Sequence, residues 1–140
     1  MKKRLAAIAC LAVSTQVFAA GQVLNDLKVD KELSAEDLNQ LMPGAGVVYH
    51  PGNGSTQRWT NEPGGKFTAS TDGRGGMSGK GATAQGTWHV APNGTYCVTL
   101  EWRSKPVNWC RHILKVGDKY YGVKALGDGT TPAFEFEFSK

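Results

Sequence analysis

The fold is decided by Thr95-Tyr96-Cys97-Val98-Thr99-Leu100-Glu101-Trp102-Arg103-Ser104-Lys105-Pro106-Val107-Asn108-Trp109-Cys110-Arg111-His112-Ile113-Leu114-Lys115-Val116. Two runs of alternating polar and apolar residues flank Arg103 to Pro106, and each run carries one cysteine. A period of two sends successive side chains to opposite faces, so the segment reads as a β-hairpin. If Cys97 pairs with Cys110, residue numbers across the ladder sum to a constant. Val98 then faces Trp109 and Leu100 faces Val107, while Thr99 meets Asn108 and Glu101 meets Pro106. One face is apolar and the other polar, which is the internal agreement a true register requires. The disulfide falls on the less apolar face and, by restricting the unfolded chain, should contribute about 2–3 kcal/mol.

Outward from the hairpin, the chain from Ala45 onward is a series of short alternating runs. The candidate strands are Gly46 to His50, Gln57 to Thr60, Lys66 to Thr71, Gln85 to Val90, Thr95 to Arg103, Val107 to Val116, Lys119 to Leu126 and Ala133 to Phe138. Glycine, proline and asparagine turns separate them: Pro51 to Gly54, Pro63 to Gly65, Pro92 to Gly94, Gly117-Asp118 and Gly127 to Gly129. In the last run Phe134, Phe136 and Phe138 share one face and Glu135 and Glu137 the other. That strand either closes a barrel against an early strand or stays an edge guarded by its glutamates. The pattern predicts a mainly β fold, a small antiparallel β-sandwich or barrel.

One helix precedes the strands. Ser34 is its N-cap, Glu36 and Asp37 lie in the first turn, Leu33 and Leu38 occupy the hydrophobic-staple positions, and Pro43-Gly44 stops it. Leu38, Leu41 and Met42 form a single apolar stripe on two to three turns, so this short N-terminal α-helix needs a docking surface and is expected to plug one end of the β structure.

The first nineteen residues have a different character. Lys2, Lys3 and Arg4 precede an apolar run from Leu5 to Val13, too short to span a bilayer, and Val17-Phe18-Ala19 offers a small-residue cleavage site. This is the layout of a bacterial secretory signal peptide cleaved after Ala19, which predicts a periplasmic or secreted protein. A lipidated Cys10 is the rival reading, although Ala7-Ile8-Ala9 is a weak lipobox. The remaining organisation is a polar lead over residues 20–32 and a single β domain over residues 33–140, a mature chain of about 120 residues that suffices for one modest core.

Removing the leader changes two counts. Three positive charges leave with it, taking the formal net charge from +4 to +1, so the pI of 9.0 does not argue for nucleic acid. Cys10 leaves as well, and Cys97 and Cys110 remain as an even pair, expected to be oxidised outside the cytoplasm. No other stretch approaches the length of a transmembrane helix.

Candidate chemistry is sparse. Asp72 to Gly81 resembles a phosphate loop at Gly79-Lys80, yet the earlier glycine is replaced by Arg74 and the following Ser or Thr by Gly81, and no helix follows. The loop remains a flexible connector or a site for an anionic partner through Arg74 and Lys80. His50, His89 and His112 lack metal-ligand spacing, so no metal and no other cofactor are expected. A Gly-x-Ser-x-Gly elbow is missing. Glu101, Glu135 and Glu137 would serve glycoside hydrolysis only if a cleft gathered two of them. Trp88, Trp102 and Trp109 alternate with core residues and read as core. Trp59, between Arg58 and Thr60, is the one tryptophan kept as a candidate surface platform. Asn53-Gly54-Ser55 and Asn93-Gly94-Thr95 match a glycosylation triplet but read better as tight turns.

With Leu33-Ser34-Ala35-Glu36-Asp37-Leu38, Gly86-Thr87-Trp88-His89-Val90, Tyr96-Cys97-Val98 and Trp109-Cys110, the chain resembles a family of small exported Gram-negative bacterial proteins classed only as a domain of unknown function. The resemblance spans roughly Leu33 to Leu126 and implies export, β architecture and a cysteine pair. It carries no activity to transfer.

The expected function is therefore non-enzymatic: a module binding a protein or envelope component, such as an inhibitor of a cell-wall-degrading enzyme or a surface antigen-like protein. Pro51 to Ser55 and Asp72 to Gly81 are the contact loops, with Asn53, Arg58, Trp59, Arg74 and Lys80 as candidate binding residues. A small-ligand or carbohydrate-binding barrel is the alternative, and an envelope glycoside hydrolase the third reading.

Overall fold

A computed structural model describes residues 22–72 and 81–140. The expected leader over residues 1–19, Arg74 and Lys80 lie outside the described residues. Among those described, the strands are β1 (Gln22–Val23), β2 (Lys31–Glu32), β3 (Gly46–Tyr49), β4 (Thr56–Thr60), β5 (Lys66–Asp72), β6 (Ala82–Val90), β7 (Tyr96–Glu101), β8 (Pro106–Val116), β9 (Lys119–Val123) and β10 (Pro132–Ser139), with helix α1 at Ala35–Leu41.

Strands β3 to β10 pair antiparallel with their sequence neighbours, and β10 closes the circuit by pairing β3 from Phe136↔Tyr49 to Ser139↔Gly46. The result is a closed eight-stranded up-and-down barrel. Between sandwich and barrel, the last strand decides: with β9 on one side and β3 on the other, it leaves no open edge there.

The central hairpin has the register its alternation predicts. Cys97 lies opposite Cys110 and is bonded to it, and Val98↔Trp109, Thr99↔Asn108, Leu100↔Val107 and Glu101↔Pro106 follow. Val98 and Leu100 are buried inside the barrel, whereas Thr99 and Asn108 hydrogen-bond on its outer wall (2.5 Å). The eight expected strands all form, with ends shifted by up to three residues; β6 starts at Ala82 rather than Gln85.

The interior is filled by rings. Tyr49 stacks on Phe136 (4.7 Å, 23°), Trp59 on Phe67 (5.0 Å, 16°), and Trp109 lies against Tyr49 at 5.2 Å. Two glycines make room for them. Gly86 sits opposite Phe67 and Gly122 beneath Phe136, and a Cβ at residue 122 would come within 2.6 Å of the Phe136 ring. Large residues thus face small ones across the barrel, as close packing in a narrow cylinder requires.

Helix α1 closes one end. Ser34 Oγ accepts the Asp37 N–H (3.1 Å) and Asp37 Oδ2 accepts the Ser34 N–H (2.9 Å), a reciprocal capping box that fixes the helix start. Leu38 and Met42 point into the barrel with no exposed surface. Seven residues are too few to be helical alone, so this burial is what stabilises the helix.

The segment read as a polar lead is part of the fold. β1 pairs β10 and β2 pairs β8, so residues 22–32 form a strap across the outside of β8, β9 and β10. Beneath it, Leu24 and Leu27 cover Leu114, Tyr121, Val123 and Ala133, a second and smaller apolar cluster. No helix among the described residues is long and apolar enough to cross a membrane.

Candidate functional site

The two ends of the barrel differ. At the helix end, Trp59 Nε1 donates to Asn61 Oδ1 (3.0 Å) and to the Tyr96 hydroxyl (3.1 Å), and that hydroxyl donates to the same Asn61 oxygen (2.6 Å). Asn61 Nδ2 points at Met42 Sδ (3.7 Å). All four residues are buried, and burial holds the Tyr96 hydroxyl far above the ordinary tyrosine range. Each polar group finds a partner, so this end is a sealed structural plug.

Opposite lie the β3–β4 turn, the ends of β5 and β6, and the β7–β8 turn. Between them is a cleft of about 410 Å³. Asn53 shapes one rim: its Oδ1 accepts the Ser55 N–H (3.0 Å) and hydroxyl (2.5 Å), the local bonding that makes Asn-Gly a turn former. Asp72 shapes the next, accepting the Thr56 N–H (2.8 Å) and facing Arg58 Nη1 at 3.7 Å. Gln57 and Thr71, paired across β4 and β5, line the floor, and Gln57 Oε1 is buried without a hydrogen-bond partner. Half-buried Trp102 supplies the apolar wall, with exposed Arg103 and Ser104 beside it. Among the described residues the cleft thus presents amide, hydroxyl, carboxylate and guanidinium groups around one indole.

The sequence-derived candidates fall in different places. Asn53 lies on this rim, and Arg58 stands on the adjacent outer wall, joined to the cleft through Asp72. Trp59 corrects the expectation made for it. It is 5% exposed, its ring faces Phe67 inside the barrel and its N–H is committed to Asn61 and Tyr96, so it is no surface platform. Polar neighbours at Arg58 and Thr60 are what an inward-facing strand residue has, and Trp59 pairs with buried Val47. Arg74 and Lys80 lie outside the described residues.

The other groups weighed from sequence are dispersed. His50 faces Glu137 (3.2 Å), His112 faces Glu32 (3.3 Å), and among the described residues no three His, Cys, Asp or Glu side chains gather as a metal set. Glu135 pairs with Lys119 (3.6 Å) on the outer wall. Sequence reasoning passed over Gln57, Trp102 and Arg103 as site residues. It also passed over Arg111, although the predicted register already places that charge between Trp109 and Ile113 on the apolar face.

The family model described as a protein of unknown function, DUF995, matches residues 8–110, a span that includes the helix, the Gly-Thr-Trp strand and both cysteines. No curated protein and no solved structure matches the chain.

Proposed function

The chain belongs to the DUF995 family, and from that premise we propose that it is an exported, non-enzymatic β-barrel that binds a protein or cell-envelope component through the open end of the barrel. The observation that carries this reading is the contrast between the ends: one is sealed by α1, and the other gathers polar groups of the β3–β4 and β7–β8 turns and of the ends of β4 and β5, with a half-buried indole, around a cleft of about 410 Å³. Turns on a rigid scaffold are where recognition is commonly built. A filled interior and a buried Trp59 favour contact at the rim over a ligand enclosed within the barrel, and they weigh against the carbohydrate-platform alternative. Glu135 and Glu137, tied to Lys119 and His50 on the outer wall, give no support to glycan hydrolysis.

The reading is tested with a photo-crosslinking residue placed at Ser104, on the rim, or at Gln40, on the sealed end, in the full chain expressed in a Gram-negative cell. A discrete crosslinked species from Ser104 alone is expected. Equal labelling from both sites, or labelling from Gln40 alone, overturns the assignment to the open end. Intact mass of the same material tests export: the expected mature chain begins at Ala20, and retention of Met1 to Ala19 overturns it.

A further inference from the structure

Arg111 is a cation on the inner face of the barrel wall. It lies between Trp109 and Ile113 on β8 and opposite fully buried Tyr96, and it is the one charged side chain among those barrel-facing neighbours. Its guanidinium carbon stands 5.4 Å from the Trp109 ring centroid and 5.6 Å from that of Phe134. Nη1 donates to the Cys110 carbonyl (3.0 Å), and the buried Nε has no hydrogen-bond partner.

No carboxylate of the chain answers this charge. All 12 aspartates and glutamates fall within the described residues. Among the described residues, the ion pairs they form go to Lys31, His50, Arg58, His112 and Lys119, and none to Arg111. A guanidinium stays protonated at any physiological pH, so it cannot escape burial by neutralising as a lysine can. Two aromatic faces offset part of the desolvation, but a planar fork with an unused N–H is chemically incomplete without an anion.

The position is also reachable. The β7–β8 ladder ends at Tyr96↔Arg111, and β9 joins β8 only from His112 onward. The wall on the β9 side therefore opens at Arg111, with Phe134 and the turn at Gly52 across the gap, and Arg111 remains partly open to solvent.

We propose that Arg111, flanked by Trp109 and Phe134 at this opening, is a binding site for a carboxylate, supplied either by a small free acid or by an acidic side chain of a partner. The site is separate from the cleft at Asn53 and Trp102 and does not depend on the function proposed for that cleft. A carboxylate accepts two parallel N–H bonds from a guanidinium, whereas an isosteric amide offers one acceptor and brings a competing donor.

The test uses the mature, disulfide-bonded protein and follows the Arg111 Nε–H resonance by NMR. Four probes are titrated: phenylacetate against phenylacetamide, and a capped tripeptide Gly-Glu-Gly against its Gly-Gln-Gly counterpart. Saturable binding of at least one acid, about tenfold or more tighter than its neutral partner, is expected. Tighter binding of phenylacetate assigns the site to a free acid, and tighter binding of the Glu peptide to a side chain. Arg111→Gln should weaken the acid about tenfold or more, and Lys66→Gln on the outer wall should leave it unchanged. If neither acid binds, if acid and amide bind alike, or if Arg111→Gln binds as well as the native chain, the site is refuted. Should Arg111→Gln not fold, the acid-to-amide ratio on the native chain decides alone.

Discussion

The Phe67 ring occupies the space above Gly86, its partner across the β5–β6 ladder, so that a Cβ on residue 86 would overlap three ring carbons. The ring cannot easily retreat, because its other face is stacked on Trp59 at 5.0 Å. Gly86→Ala should therefore destabilise the barrel by about 1–3 kcal/mol, the cost of overpacking rather than of a lost contact. Combining it with Phe67→Leu should recover part of that loss, since the smaller side chain vacates the space. Urea unfolding of the two single variants and the double variant checks this, and a Gly86→Ala midpoint equal to the native one refutes it.

Asn61 is the shared acceptor for the Trp59 N–H and the Tyr96 O–H. Asn61→Ala leaves the buried Tyr96 O–H without its acceptor and the Trp59 N–H with the Tyr96 oxygen alone, and should cost about 2–3 kcal/mol; Tyr96→Phe removes one donor and should cost about 1 kcal/mol. Because both substitutions act on one network, the double variant should lose less than the sum. Additive losses in a thermodynamic cycle would show that the three groups do not act together.

The same tyrosine gives the fold an alkaline limit. Burial raises the Tyr96 hydroxyl well above its ordinary value of 10.0, and burial also raises Tyr49 although the Arg111 charge opposes it. Below about pH 10 folded and unfolded chains both hold these protons. Above it the unfolded chain releases them while the native chain does not, so stability falls as pH rises, by up to about 1.4 kcal/mol per pH unit per tyrosine. Tyr96→Phe should flatten the decline in unfolding free energy measured from pH 9 to 11. An unchanged slope would mean that Tyr96 ionises as freely in the native state as in the unfolded one.

What the sequence makes legible here follows from period two. Alternation from Val98 to Trp109, with the cysteines as a second constraint, specifies the hairpin register to the residue, and Ser34 and Asp37 specify where α1 begins. Closure was not legible, because Phe134 to Phe138 has the same pattern whether β10 ends as an edge or pairs β3. Trp59 and Arg111 were misjudged or overlooked for one reason: residue type outweighed parity. An indole between two polar residues looks exposed and an arginine looks solvated, yet both lie on inward positions. Residues 22–32 escaped because Leu24 and Leu27 alone are too sparse to show a period, and their burial depends on strands about ninety residues later.

The Cys97–Cys110 bond crosses one ladder step and closes a 13-residue separation. Loop closure of that size corresponds to about 3 kcal/mol in the chain-entropy account. Replacing both cysteines by serine should lower the unfolding free energy by about 2–3 kcal/mol and leave the far-UV spectrum unchanged, since backbone pairing from Tyr96 to Glu101 does not depend on the bond. Alkylation before intact mass measurement provides the covalent check: two modified thiols in protein purified without reductant would rule the bond out.

The N-terminal strap should be a stability element and a guard against association. Leu24 and Leu27 are partly buried against Leu114, Tyr121 and Val123 on the outer wall of β8 and β9. The Leu24 N–H donates to the Thr131 carbonyl and the Asp30 N–H to the Lys115 carbonyl (2.9 and 2.8 Å), so the strap is anchored at both ends by backbone as well as by side chains. Leu24→Ser with Leu27→Ser should cost about 2 kcal/mol, the transfer free energy of two half-buried leucines. A chain beginning at Leu33 loses more, because it also bares an apolar patch that a monomer does not keep exposed. Light scattering should then show concentration-dependent association of the truncated chain while the double-serine variant stays monomeric. Equal stability and monodispersity of the chains beginning at Leu33 and at Ala20 would reduce the strap to a tether that contributes nothing to the fold.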